Sequence, residues 1–156
     1  MGAVKLARLL ASGFGSGYAP KAPGTVGSAA ALVIGAGLFA ASPWLLAGAA
    51  LGVSIGGVWA VRASEAKGDP GWIVIDEFAG QWIALLGLWA GGLSLIGVAA
   101  AFALFRLFDI WKPGPVGWAD RWHTPAGVMA DDVIAGAMAA GILLAWRLWF
   151  GPGLLI

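Results

Sequence analysis

The sequence predicts an all-α, polytopic helical membrane protein with about five transmembrane spans. Two hairpins and a C-terminal span would follow a short N-terminal interfacial helix. Three observations predict this. Of the 156 residues, 60% are hydrophobic and 11% charged, where soluble domains carry about 25% charged residues. Such a chain cannot clothe a soluble domain in polar side chains, so lipid must be most of its solvent. Ten tryptophans suit the membrane–water interface, and 26 glycines suit close helix packing. The charged residues are also gathered into three segments separated by apolar stretches.

Residues 3–11 alternate charge and apolar bulk as a short interfacial helix does. Lys5 and Arg8 are followed by Ser12, Gly13 and Gly15, which break the apolar run that a secretory signal would need. The first apolar stretch is Ser28–Ser42. Pro43 suits the first turn of a second helix, Pro43–Val61, with Ser42 as its cap. The third stretch, Phe78–Phe105, holds Gly91-Gly92 near its middle. As one helix its 28 residues would run about 42 Å, too long for a hydrocarbon core of about 30 Å. A hairpin turning at Gly91-Gly92 is therefore expected. Its arms are short, about 21 Å each, so the helices must continue into the flanking charged segments. The fourth stretch is Val133–Trp146, preceded by Asp131-Asp132, two acids at a helix start.

With five spans the charges sort to one side. Lys5, Arg8 and Lys21 precede the first span, residues 62–77 lie between the second and third, and residues 106–132 lie between the fourth and fifth. The turns at Ser42-Pro43 and Gly91-Gly92 carry no charge, and Arg147 alone lies elsewhere. The positive-inside rule makes the charged side cytoplasmic. One domain covers residues 1–156. Asp76-x-x-Ala79-Gly80 is echoed by Asp132-x-x-Ala135-Gly136, a similarity of helix packing rather than an internal duplication.

Three segments could carry chemistry. Residues 13–28 form a glycine-rich loop with Lys21, Thr25 and Ser28 as donors, suited to an anion at a helix N-terminus. It lacks the Gly-Lys-Ser/Thr ending of a P-loop. Asp76 and Glu77 open an apolar helix; dipole complementarity explains one acid there, but two at membrane depth poorly. Asp69, just before them, reads as a turn residue. Arg106, Asp109 and Lys112 are spaced to share one helix face that ends before Pro113. Carboxylates converging from several helix ends select a hard cation such as Mg²⁺, and the accompanying Lys and Arg suit phosphate. The chain has no cysteine, which excludes disulfides and thiolate chemistry. His123 is its one histidine and reads as a loop residue.

At these residues the chain resembles the phosphatidylglycerophosphatase A family, bacterial membrane enzymes that remove the terminal phosphate of phosphatidylglycerophosphate. The motifs are GFGSGYAPKAPGTVGS at 13–28, DPGWIVIDEFAGQWI at 69–83, FRLFDIWKPGPVGWADR at 105–121 and MADDVIAG at 129–136. One departure is visible. The chain reads His123-Thr124-Pro125-Ala126-Gly127 where the family has a Gly-Gly-x-Gly stretch. The resemblance implies Mg²⁺ dependence, a phospholipid substrate, the bacterial inner (cytoplasmic) membrane and an active site on its cytoplasmic face. Asp76, Glu77, Asp109, Asp131 and Asp132 are the expected metal ligands, with Asp76, Glu77, Asp109 and Asp132 catalytic. Lys21, Thr25, Arg106 and Lys112 are expected to bind the substrate phosphate. Nothing suggests a nucleic-acid partner. A small transporter using the carboxylates as a cation site is the alternative, although its acids would be expected to interrupt spans rather than end them.

Overall fold

The structure is a computed structural model that describes residues 2–68 and 70–151; Asp69 lies outside the described residues. The described residues contain seven α-helices and no strand. They are α1 (Gly2–Ala11), α2 (Pro23–Ala41), α3 (Pro43–Ala63), α4 (Ile75–Leu86), α5 (Leu95–Trp111), α6 (Pro115–Asp120) and α7 (Pro125–Phe150). A single 3-10 turn, Ser16–Tyr18, lies between α1 and α2.

Three helices are long and apolar enough to cross a membrane: α2 with 19 residues, α3 with 21 and α7 with 26. Their outward faces carry exposed Val33, Ile34, Trp44, Leu51, Ile55, Leu148 and Trp149. A row of bare apolar side chains of this kind is tolerated against lipid, not water. Prolines stand in the first turn of all three, where a missing N–H costs nothing.

Helix α4 is the centre of the bundle. Ten of its 12 residues are buried, and it packs against α2, α3, α5 and α7. At 12 residues it is about 18 Å long, and α5 has 17 residues. Between them the chain breaks at 87–94, the region where the glycine pair predicts a turn. Gly92 takes a left-handed φ of 77°, and the Ser94 hydroxyl caps α5 by accepting from Gly97 N at 2.9 Å. Phe78, Phe105, Leu85 and Leu88 fill the space around α4 and are fully or almost fully buried.

Helix α1 lies where the sequence predicts a short helix. It buries Ala7 and Ala11 and leaves Leu6 and Leu9 exposed. Arg8 Nε donates to Ser64 O at 3.0 Å, tying α1 to the end of α3. The Val74 amide donates to Ala11 O at 2.9 Å, tying the entry to α4 to the same place.

Three boundaries differ from the sequence expectation. Helix α2 begins at Pro23, five residues before the apolar stretch expected from Ser28. The last helix begins at Pro125 rather than at Asp131-Asp132, so these two acids sit in its second turn. The Thr124 hydroxyl accepts from Gly127 N at 3.1 Å and caps this earlier start. Lys112 does not extend the face of Arg106 and Asp109. Helix α5 stops at Trp111, and Lys112 takes a left-handed φ of 49° before Pro113. Its side chain leaves in another direction.

Candidate functional site

Helices α4 and α7 cross at two glycines. A methyl at Gly80 would lie 2.6 Å from the carbonyl oxygen of Asp132, and one at Gly136 would run into the carbonyl of Gly80. Neither glycine has a positive φ, so close approach is what requires them. Each lies one turn after an aspartate, Asp76 on α4 and Asp132 on α7. Contact at the glycines therefore brings the two aspartates together. The repeated Asp-x-x-Ala-Gly pattern is two halves of one helix crossing.

The crossing gathers three acids. Asp76, Glu77 and Asp132 each offer a carboxylate oxygen, and these atoms lie within 4.8 Å of one another. All three residues are buried, and Asp132 is 3% exposed. Asp76 Oδ1 accepts from Glu77 N at 3.1 Å. Glu77 Oε2 and Asp132 Oδ2 are buried and have no hydrogen-bond partner. Two orphaned carboxylate oxygens in one buried acidic cluster are costly, and a shared divalent cation removes both the repulsion and the lost solvation. An all-oxygen donor set fits Mg²⁺.

Arg106, on α5, lies beside these acids. Its Nη1 donates to Asp109 on the next turn of α5 and to the Ser28 hydroxyl at 3.2 Å, and it lies 3.9 Å from Glu77 Oε1. Its Nη2 reaches the Thr25 hydroxyl at 3.5 Å. Asp109 in turn neighbours Glu77 and Asp132. The first turn of α2 completes this side. A methyl at Gly24 would collide with the Glu77 carboxylate and would lie 3.5 Å from Arg106 Nη1. Gly24 thus lets the N-terminus of α2, which has no side-chain cap, approach the acids and Arg106. Unpaired amides at that end favour an anion.

The expected site residues divide into three groups. Asp76, Glu77, Asp109, Asp132, Arg106 and Thr25 meet in one place. Lys112 and Asp131 meet in another. Lys112 Nζ donates to Asp131 Oδ2 at 2.8 Å and also to Asp120. Burial lowers the Lys112 pKa, but its two carboxylate partners outweigh burial and hold it above the ordinary lysine value. Asp131 Oδ1 accepts from Asp132 N at 3.0 Å, so both of its oxygens are used. Lys21 stands alone: it is exposed and makes no ion pair among the described residues. Most of the glycine-rich loop before it folds on itself, with Ser12 and Ser16 bonded to its own backbone. Only the segment from Gly24 to Ser28 reaches the acids.

Two features escape sequence reasoning. Gln81 is fully buried one turn after Glu77, and neither of its amide atoms has a partner. A lone Gln within an apolar helix at membrane depth is the signal that could have found it. Helix α6, with Pro115 following Gly114, presents Asp120 to Lys112.

The family model described as phosphatidylglycerophosphatase A matches residues 9–147. The chain is 44% identical over 140 residues to phosphatidylglycerophosphatase A of Escherichia coli (strain K12), covering 86% of this chain and 80% of that protein. It is 39% identical over 146 residues to phosphatidylglycerophosphatase A of Haemophilus influenzae, covering 90% and 88%. It is also 39% identical over 148 residues to a Bacteroides thetaiotaomicron protein named "Putative phosphatidylinositol-3-phosphatase", covering 90% and 92%. No solved structure matches. With its family model spanning most of its length, and with relatives this similar over nearly all of theirs, the chain belongs to the phosphatidylglycerophosphatase A family.

Proposed function

We propose that this protein hydrolyses phosphatidylglycerophosphate to phosphatidylglycerol and phosphate, using Mg²⁺ held by Asp76, Glu77 and Asp132. The observation that carries the reading is the pair of orphaned, buried carboxylate oxygens on Glu77 and Asp132, set beside Arg106. Acids alone would suit a cation transporter. Acids with a guanidinium and an uncapped helix N-terminus suit a phosphate ester that brings its own negative charge.

When bound, Mg²⁺ would neutralise charge on the phosphoryl oxygens and make water a better nucleophile. The remaining work falls to side chains of this chain. Arg106 and the first amides of α2 hold the phosphomonoester, with Thr25 and Ser28 fixing the guanidinium. Asp109, held by Arg106, accepts the proton of the attacking water. Water's oxygen bonds to phosphorus as the bond from phosphorus to the glycerol oxygen breaks. The glycerol oxygen takes the proton that Asp109 accepted and leaves as the lipid alcohol. An aspartyl-phosphate intermediate on one of the acids is the competing route; the stereochemistry at an isotopically chiral phosphorus separates the two, since direct attack by water inverts it once and two successive displacements retain it.

Five spans and a cytoplasmic site belong to the same proposal. Helices α2, α3 and α7 cross; α4 and α5 form a hairpin that continues into the charged segments, and α1 lies at the interface. Lys5, Arg8, Lys21 and Arg62 then lie on the cytoplasmic side. A cysteine introduced at position 68 of this cysteine-free chain should react with an impermeant reagent only from the cytoplasm; labelling from the opposite side overturns the arrangement.

The activity test is phosphate release by purified protein in detergent micelles, with and without Mg²⁺. Release from phosphatidylglycerophosphate that stops with chelator and returns with Mg²⁺ is the expected result. The name of the Bacteroides relative makes phosphatidylinositol 3-phosphate the natural comparison lipid. Metal-independent release, or none, contradicts the reading.

A further inference from the structure

A second polar region adjoins the acids without belonging to them. A cavity of about 360 Å³ opens between the end of α3, the loop before α7 and the second turn of α7. Arg62, Asp120, His123, Thr124 and Asp131 supply its polar lining. Its volume lies within the roughly 300–1,000 Å³ of small-molecule sites and exceeds what one phosphate needs. Asp131 lines it, while the next residue, Asp132, belongs to the acid trio. Successive helical residues point about 100° apart, so the cavity lies beside the trio rather than inside it.

The charge of this cavity is set by pairing. Asp120 and Asp131 both accept from Lys112, which offsets one of their two negative charges. Arg62 has no ion-pair partner among the described residues. The cavity therefore offers an anion one uncommitted guanidinium, in the last turn of α3, where a span meets the headgroup layer. His123 takes a left-handed φ of 50°, a conformation that costs a non-glycine residue energy. Its Nδ1 lies 2.6 Å from Arg121 O, which leaves Nε2 for another partner. Thr124 keeps its hydroxyl proton, because as the α7 cap it serves only as an acceptor.

The proposed substrate has matching parts. Its terminal phosphomonoester is joined through glycerol to a second anion, the phosphodiester that carries the diacylglycerol. A site that held only the monoester would not distinguish this lipid from phosphatidic acid, whose monoester is attached directly to the diacylglycerol. We infer that the cavity receives the glycerol and bridging phosphodiester of the head group, with Arg62 bound to the diester. On this account the enzyme selects lipids whose monoester lies beyond a phosphodiester. The inference rests on the phosphatase reading above.

The test uses full-length protein in mixed micelles, with lipids of matched acyl chains. It compares wild type, Arg62→Gln and Arg62→Lys. The readouts are kcat and KM for phosphatidylglycerophosphate and the inhibition constant of phosphatidic acid as a competitor. Arg62→Gln should raise KM about tenfold and leave kcat within about twofold, because an interaction common to ground and transition states is lost. Its inhibition constant for phosphatidic acid should not move, and Arg62→Lys should recover part of the lost affinity. An unchanged KM overturns the inference, as does a fall in kcat alone or an equal weakening of both lipids. In any of these cases an active wild type leaves the phosphatase reading standing. A wild type that releases no phosphate from phosphatidylglycerophosphate overturns both.

Discussion

Helix α7 carries two adjacent aspartates in opposite circumstances. Asp131 is fully engaged, with one oxygen on Lys112 and the other on a backbone amide. Asp132 is buried among other acids and has an oxygen with no partner. The first is a clamp: Lys112 joins α6 to α7 through Asp120 and Asp131 and holds the loop between α5 and α7 in place. The second, on the function proposed above, belongs to an incomplete coordination shell. Burial alone does not separate structure from function here, because both residues are buried. What separates them is whether the surrounding protein already satisfies the charge. Evolution can satisfy a buried acid with a lysine, as it has for Asp131. Leaving an acid unsatisfied beside two others is stable only if something else arrives.

The largest expected difference between the two lies in catalysis. Asp132→Asn keeps size and removes charge, so the protein should fold. Its kcat should fall roughly 10²–10³-fold, the range for losing one group that stabilises transition-state charge. Asp76→Asn should behave alike. Asp131→Asn should keep activity per folded molecule within about tenfold. Equal losses at 131 and 132 would dissolve the distinction between clamp and coordination shell.

The helix crossing comes next. Gly136→Ala places a methyl against the Gly80 carbonyl, and α4 and α7 must separate to admit it. A displacement of about 1 Å at catalytic groups can cost about 10²-fold in rate, and overpacking costs about 1–3 kcal/mol in stability. Gly141→Ala is the control on the same helix, since nothing lies within 4 Å of a methyl there. It should be nearly silent in both assays. Comparable losses in the two variants would mean that α7 tolerates no added volume anywhere, and the crossing would lose its special role.

In the clamp, Asp131→Asn leaves Lys112 one carboxylate and should lower stability by about 1–3 kcal/mol, read as a lower melting temperature in detergent. The smallest effect belongs to Thr25→Ala. Its hydroxyl is 3.5 Å from Arg106 Nη2, so its loss should raise KM only a few-fold, in keeping with about 0.5–1.5 kcal/mol for one hydrogen bond.

Much of this was legible before any coordinates. Asp76 and Glu77 begin α4 because an apolar run starts immediately after them, and Arg106 and Asp109 meet because they are one turn apart on a helix that Pro113 must end. The break in the long apolar stretch was legible from Gly91-Gly92. Three things were not. The echo of Asp-x-x-Ala-Gly read as similar packing, but one-dimensional spacing cannot say that the two glycines meet each other. Lys112 read as the third member of a helical face; a left-handed residue before a proline redirected it to α6 and α7. The start of α7 was placed six residues late, because two adjacent acids read as a helix start where the helix is already under way and capped by Thr124. The first needed a tertiary contact, which helix faces which; the other two turned on local backbone features, a left-handed residue and a helix cap.

The central claim is that Asp76, Glu77 and Asp132 share a divalent cation that Asp131 does not touch. The most direct measurement is the melting temperature of wild type, Asp132→Asn and Asp131→Asn across a Mg²⁺ titration in one detergent. A ligand that binds only the folded protein adds about 2.7 kcal/mol of stability at a hundred times its Kd. Wild type and Asp131→Asn should therefore rise with Mg²⁺ over the same concentration range, from different starting points. Asp132→Asn should rise little, or only at much higher concentration. Three parallel curves, or no response to Mg²⁺ in wild type, would contradict the account.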